Sequence, residues 1–213
     1  MTVNKFISLI SGGFDSPLAA SLMIKRGFIP IYLSFLTSDD KMQSMKNKVI
    51  KIIKKLKNLT KNPIKVYFIN FDDSLNIFKR NCQRKLTCVL CKRLMIRVAK
   101  IIGLRENTNI IVTGDILGEQ ASQTLDNLYS YNDIAKDFVI LRPLIAYDKN
   151  EVIDAIRKLG LYDLISQPSA SCIFNPQYPE THAKQEEVIF SENKINLKDL
   201  INKSIKNAEI LNL

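Results

Sequence analysis

No stretch of this chain approaches the roughly 18 consecutive apolar residues of a membrane-spanning helix, which excludes such a span, although 46% of its 213 residues are apolar. No internal repeat, low-complexity tract or long linker interrupts it. Met1-Thr2-Val3-Asn4-Lys5 runs directly into an apolar segment, so no signal peptide is expected. Acidic residues are scarce beside basic ones: 21 Asp and Glu stand against 31 Lys and Arg, histidine occurs only at His182, and the net charge is +10. Two familiar phosphate-binding signatures are also missing, Gly-x-x-x-x-Gly-Lys-Ser/Thr and Gly-x-Gly-x-x-Gly. What remains is the expectation of a soluble, cytoplasmic chain without membrane contact, long enough for one large domain with its own core.

What is present begins with Ser11-Gly12-Gly13-Phe14-Asp15-Ser16, straight after the apolar run Phe6-Ile7-Ser8-Leu9-Ile10. A buried strand that turns through two glycines into a helix, expected over 17–26, aims several backbone N–H groups and the positive end of the helix dipole at one spot. That spot suits a phosphate. Ser11 and Ser16 add hydroxyl donors, the glycines permit close approach, and the Asp15 carboxylate is better explained by a bound cation than by the phosphate. Pro17 suits the first helical position, where a missing N–H costs nothing. The string resembles the pyrophosphate loop of the ATP pyrophosphatase superfamily, which implies cleavage of ATP between its alpha and beta phosphates and transfer of AMP.

Apolar runs alternate with helical periodicity, as in an α/β protein with a parallel sheet. Strands are expected at 6–10, 29–35, 64–70, 109–113 and 138–142, several of them continuously apolar, as strands covered on both faces should be. Helices are expected at 41–58, 89–102, 118–127, 149–159, 184–190 and 197–209, with Gly27, Gly103 and Gly160 at helix ends. The fold class is a three-layer, doubly wound parallel sheet, with residues 1–183 as catalytic domain and 184–213 as a C-terminal helical extension of it, whose last 25 or so residues read as a packed helix, a dimer contact or a frayed tail. Ligands in such sheets bind at the carboxyl ends of strands near a switch point, the edge where Ser11, Ser34, Phe35, Thr113 and Gly114 fall.

The basic residues cluster, with nine lysines from Lys41 to Lys65 and eight Lys or Arg from Lys79 to Lys100. Such patches suit a polyanion. Equally, Lys46 to Lys57 can form the wet face of a helix whose other side is Val49, Ile52, Ile53 and Leu56.

Four cysteines, Cys82, Cys88, Cys91 and Cys172, leave metal binding, chemistry or plain burial open, a structural disulfide being out of place in the cytosol. Cys88 and Cys91 have the two-residue gap that brings both sulfurs to one metal, and they begin a helix whose dipole favours thiolates. Zinc asks for a second pair, which is absent. With Cys172 the set suits an iron–sulfur cluster with one iron left open; Cys82, six residues before Cys88, is a candidate fourth ligand, though its neighbours favour a buried or incidental thiol.

With these residues in view, the chain resembles the catalytic domain of the tRNA 4-thiouridine synthetase family, also called tRNA sulfurtransferases or thiamine biosynthesis sulfur-transfer proteins, over about residues 5–182. The likeness is carried by the Leu9–Pro17 loop, Cys88-Val89-Leu90-Cys91-Lys92-Arg93, Thr113-Gly114-Asp115, Ala121-Ser122-Gln123-Thr124-Leu125, Leu141-Arg142-Pro143-Leu144-Ile145 and Asp148-Lys149. It implies an adenine nucleotide alpha hydrolase-like fold and an ATP site at Leu9, Ile10, Ser11, Gly12, Gly13, Ser16, Ser34, Phe35, Lys92, Gly114 and Gln123. Asp15 and Lys149 match positions tied to adenylation, Asp15 through Mg²⁺. Cys172 matches the sulfur-handling cysteine. A subgroup carries cysteines at the positions of Cys88, Cys91 and Cys172 that resemble iron–sulfur ligands, and this chain fits that group. Asp115 stands where the family more often has Glu, and Glu119 where Gln is usual.

The expected function is an ATP-dependent sulfurtransferase that adenylates O4 of a tRNA uridine, releases pyrophosphate and replaces AMP with sulfur from a sulfide or persulfide donor. The family's N-terminal RNA-binding region has no counterpart in this sequence, which leaves room for tRNA bound through a separate chain, for a homodimer, for a small-molecule or carrier-protein acceptor, or for a nucleotide-binding, cluster-carrying subunit.

Overall fold

In the computed structural model, which describes residues 4–37, 42–168 and 172–213, the apolar runs form one six-stranded sheet of order β5-β4-β1-β2-β3-β6. Its strands are β1 (Lys5–Leu9), β2 (Ile29–Leu36), β3 (Lys65–Asn70), β4 (Ile110–Val112), β5 (Val139–Leu141) and β6 (Glu209–Asn212). The first five pair in parallel, and β6 adds antiparallel to β3. Side chains alternate across the pleat, so each strand feeds two cores. Ile7, Ile31, Leu33, Tyr67, Ile69 and Ile111 face one way; Phe6, Tyr32, Val66, Phe68 and Val112 face the other.

The second core is covered by α1 (Asp15–Lys25), α2 (Met42–Lys57), α6 (Lys149–Lys158) and α7 (Tyr162–Ile165). The first is covered by α3 (Asp72–Asn81), α4 (Thr87–Arg105), α8 (Gln185–Glu192) and α9 (Leu197–Lys206). A short helix α5 (Leu125–Tyr129) follows a tight turn at Ala121–Gln123. This is the doubly wound, three-layer arrangement. Because the chain leaves β1 toward β2 and later returns to β4 on its other side, the switch point lies at the carboxyl ends of β1 and β4.

Several elements differ from the sequence expectation. Helix α1 starts two residues early, so Asp15 and Ser16 stand in its first turn and Pro17 is third rather than first; proline is still tolerated there because that N–H has no acceptor within the helix. The helix expected over 118–127 is a turn followed by α5: Gly118 takes φ +77, Thr124 is extended, and its side chain caps the helix that starts after it. The last helix, expected over 197–209, ends at Lys206, and Glu209 begins β6. The lysine run of α2 is not simply a wet face. Lys46 pairs with Glu209 at 2.5 Å, Lys55 donates to the Gly160 carbonyl at 2.5 Å, and Lys48 is buried. Among the described residues no helix is long and apolar enough to cross a membrane.

Candidate functional site

The Ser11–Ser16 loop closes on itself. The Ser11 N–H donates to Ser16 Oγ at 2.8 Å, the two hydroxyl oxygens lie 3.0 Å apart, and the Gly13 N–H reaches Ser11 Oγ at 3.3 Å. The serines thus brace the turn. Among the described residues no side chain caps the start of α1, which leaves its first N–H groups and the positive end of its dipole for an anion.

Gly114, at the end of β4, sits against that start: a Cβ there would lie 2.6 Å from Ser16 N and 2.7 Å from the Asp15 carbonyl carbon. Backbone cannot step aside as a flexible side chain can. Gly114→Ala is therefore expected to cost about 1–3 kcal/mol and to displace the loop, read as a lowered melting temperature with weakened ATP affinity by calorimetry.

Two adjoining cavities meet at this loop. One, about 330 Å³, is lined by Ser11, Gly12, Gly13, Ser34, Phe35, Cys91 and Cys172, among others. The second, about 190 Å³, is lined by Leu9, Ile10, Ser11, Asp15, Ser16, Lys92, Gly114 and Gln123, with Thr113 and Asp115. The nucleotide residues expected from sequence are thereby together. A third cavity of about 250 Å³ holds Cys88, Cys91, Cys172, Lys92 and Met95. Cys88, Cys91, Lys92 and Met95 follow helical spacing on α4 and share one face, so the helix carries the nucleotide cavity and the thiol cavity side by side.

Charge is organised around two acids, Asp115, which is buried, and Asp15, which is half-buried. Asp115 is 1% exposed. It accepts from Lys92 Nζ at 2.7 Å and from Thr113 Oγ1 at 2.7 Å, with Arg142 Nε at 3.4 Å. Burial works against its ionisation, yet Lys92, Thr113 and Arg142 together hold its carboxyl below the usual range. On the other side Lys149, in the first turn of α6, bridges Asp15 at 3.3 Å and Glu119 at 2.9 Å. Burial raises the Asp15 pKa, against the pull of Lys149. Burial opposes the Lys149 charge, but its bonds to Glu119 and Asp15 win and raise its pKa. Arg142 and Glu119 were not among the residues expected at the site. Arg142 sits in a quoted motif, and Glu119 was marked only as a departure from the family pattern.

Cys88, Cys91 and Cys172 border one cavity, but among the described residues no three Cys, His, Asp or Glu side chains converge into a ready-made metal site. The Cys88 thiol donates to Asn175 Oδ1 at 3.1 Å. Burial pushes both the Cys88 and Cys91 thiols up. This overrides the help expected from the helix start, since desolvation penalises a thiolate more than a partial dipole rewards it. Three soft sulfur donors bordering one cavity, with Cys88 and Cys91 disfavoured as bare thiolates, fit a cationic metal cluster that would compensate them. Cys82 lies elsewhere, its thiol on the Ser191 carbonyl at 3.4 Å.

Comparison with known proteins follows the same lines. The family profile of thiamine biosynthesis protein ThiI matches residues 1–197. A Methanosarcina mazei protein named probable tRNA sulfurtransferase is 37% identical over the whole of this chain, which corresponds to 52% of that relative. The chain spans about half the length of the curated relatives it matches. A crystal structure of a 4-thiouridine synthetase–RNA complex with bound ATP superposes with TM-score 0.92 at 26% identity, over 99% of this chain and 55% of that one. The U34-tRNA thiolase NcsA from Methanococcus maripaludis, solved with its [4Fe-4S] cluster, shares the fold: TM-score 0.53, 13% identity, 97% of this chain and 73% of that one.

Proposed function

The chain belongs to the thiamine biosynthesis protein ThiI family, and from that premise we propose that it is the adenylating and sulfur-inserting part of a tRNA sulfurtransferase. The observation that carries the reading is the junction of the uncapped start of α1 with a cavity bordered by three thiols, along one face of α4. ATP, as its Mg²⁺ complex held in part by Asp15, places its phosphates on the Ser11–Ser16 loop, with Lys92 and Lys149 as cations. O4 of a tRNA uridine attacks the alpha phosphorus, the bond to the beta-phosphate oxygen breaks, and pyrophosphate leaves. The uracil C4 then carries AMP, a far better leaving group than hydroxide. Sulfide adds at C4, the C4–O bond breaks, AMP departs with the oxygen, and loss of the sulfur-bound proton leaves the thiocarbonyl of 4-thiouridine.

Cys88, Cys91 and Cys172 would hold an iron–sulfur cluster, which when bound supplies an iron without a protein ligand as a resting place for sulfide. Three thiols lining one cavity, two of them half-buried on α4, are the support for this in the chain itself. A basic surface suits the RNA, and the proposed setting is the cytoplasm.

The test uses oxygen-free protein with Mg-ATP, tRNA and sulfide. AMP, pyrophosphate and thiolated nucleoside are expected in equal amounts. Cys172→Ala is expected to keep tRNA-dependent pyrophosphate release and to lose thiolation; Asp15→Asn loses both. Formation of ADP, or pyrophosphate release indifferent to RNA, overturns the proposal.

A further inference from the structure

The Lys48 side chain is 8% exposed, and among the described residues no carboxylate pairs with it. Its ammonium instead donates to two backbone carbonyls, Ile165 O at 2.7 Å and Gln167 O at 2.8 Å. Burying an ammonium is costly, and burial lowers the Lys48 pKa. An apolar chain would fill the same space without that cost, so the charge is retained for what it grips. Ile165 ends α7 and Gln167 follows it, on the stretch that leads to Cys172.

The stem of the same side chain lies on the nucleotide loop. A Cβ at Gly12 would be 3.4 Å from Lys48 Cδ and 3.7 Å from Cε. The Lys48 stem therefore passes beside Gly12 of the loop that takes the phosphates, while its ammonium holds Ile165 and Gln167, which precede Cys172 in the chain. The loop and Cys172 face one cavity, which Gly12, Gly13, Met45, Val49, Cys91 and Cys172 line together.

We propose that Lys48 is a positioning residue that fixes the Cys172-bearing segment against the nucleotide loop, so that sulfur is delivered to the carbon that has just been activated. The role deepens the sulfurtransferase reading and rests on it for its catalytic consequence. Lys48 contacts no reacting atom; it acts through the Ile165 and Gln167 carbonyls. Misplacement of a reacting group by about 1 Å is enough to cost about 100-fold in rate.

Two measurements on the full chain test this. In the first, Lys48→Met is expected to retain ATP affinity and tRNA-dependent pyrophosphate release while thiolation falls by about 100-fold, so that adenylated tRNA, or AMP freed from it by water, forms without thiolated product. Lys48→Arg, which keeps donors on a long stem, is expected to restore the coupling. In the second, the iron-free chain is treated with dibromobimane, and the cross-link joining Cys172 to Cys88 or Cys91 is quantified by mass spectrometry. It is expected to form in the native chain and in Lys48→Arg and to be lost in Lys48→Met. Should Lys48→Met not fold, Lys48→Gln, too short to span both carbonyls, takes its place with the same expected split. Parallel loss of pyrophosphate release and thiolation, no loss of either, or an unchanged cross-link overturns the role. If the native chain thiolates nothing, the sulfurtransferase reading fails, while the cross-link still decides whether Lys48 positions Cys172.

Discussion

Lys149→Met is expected to slow tRNA-dependent pyrophosphate release by about 100- to 1,000-fold at saturating ATP and to leave the dissociation constant for ATP nearly unchanged. The ammonium stands 3.3 Å from Asp15 and 2.9 Å from Glu119, and its place is fixed by the capping box that Asp148 and Glu151 form at the start of α6. Before ATP binds, its charge is shared by two carboxylates. In the proposed reaction, when negative charge builds on the phosphates as pyrophosphate departs, the same cation stands beside the loop, already oriented. A charge that strengthens its interaction only in the transition state raises kcat rather than affinity.

The variant also carries a pH signature. Burial raises the Asp15 pKa and Lys149 opposes that rise. Removing the cation lets the pKa climb further, so the acid limb of the rate profile moves to higher pH. An unchanged kcat, or an acid limb that stays in place, would show that Lys149 is merely an exposed residue at a helix start.

How legible the site was in the sequence depends on how local its parts are. The loop at Ser11–Ser16 and the cysteine pair on α4 are contiguous strings, and each carries its geometry with it. Ser34, Phe35, Gly114 and Gln123 were reached through the resemblance, and the parallel sheet then brought them to one edge. Glu119 and Arg142 acquire meaning only across space, as partners of Lys149 and Asp115. Helix α3 is not legible in the apolar pattern although Asp72 and Asp73 open it and Lys79 and Arg80 close it; its apolar side is no more than Leu75, Ile77 and Phe78. Strand β6 is four residues long and mostly exposed, and what makes it a strand is the edge of β3, far away in sequence. Lys48 shows the same limit from the other side. In a run of lysines it reads as solvated, and nothing local says that its ammonium will be buried on the carbonyls of Ile165 and Gln167.

Arg93→Leu is expected to produce the largest loss of stability of any single substitution outside the nucleotide loop, about 3–5 kcal/mol, or roughly 10 °C in melting temperature for a chain of this size. Arg93 is fully buried and is shared by three elements. It meets Asp133 with both terminal nitrogens at 2.6 and 2.9 Å, Glu192 of α8 through Nε at 2.9 Å and Nη2 at 2.8 Å, and the Ser130 carbonyl. Arg97 adds a second contact to Glu192 at 2.9 Å. Leucine fills part of the volume but leaves the Asp133 and Glu192 carboxylates without their main cation, and an unpaired buried charge costs far more than the pair contributed. The acid response separates this cause from a simple cavity. Burial acts to raise the Asp133 pKa, but the Arg93 guanidinium outweighs it and holds the carboxyl below its ordinary 3.8. A depressed carboxylate contributes stability that is complete above its unfolded value and lost as pH falls through its folded one. The native chain should therefore lose this contribution below about pH 4, whereas Arg93→Leu, having none to lose, should show a smaller deficit there than at neutral pH. A deficit that is the same at both pH values would assign the loss to packing alone. Because Arg93 follows Cys91 and Lys92 on α4, the same clamp also holds the helix that carries both of them to the site.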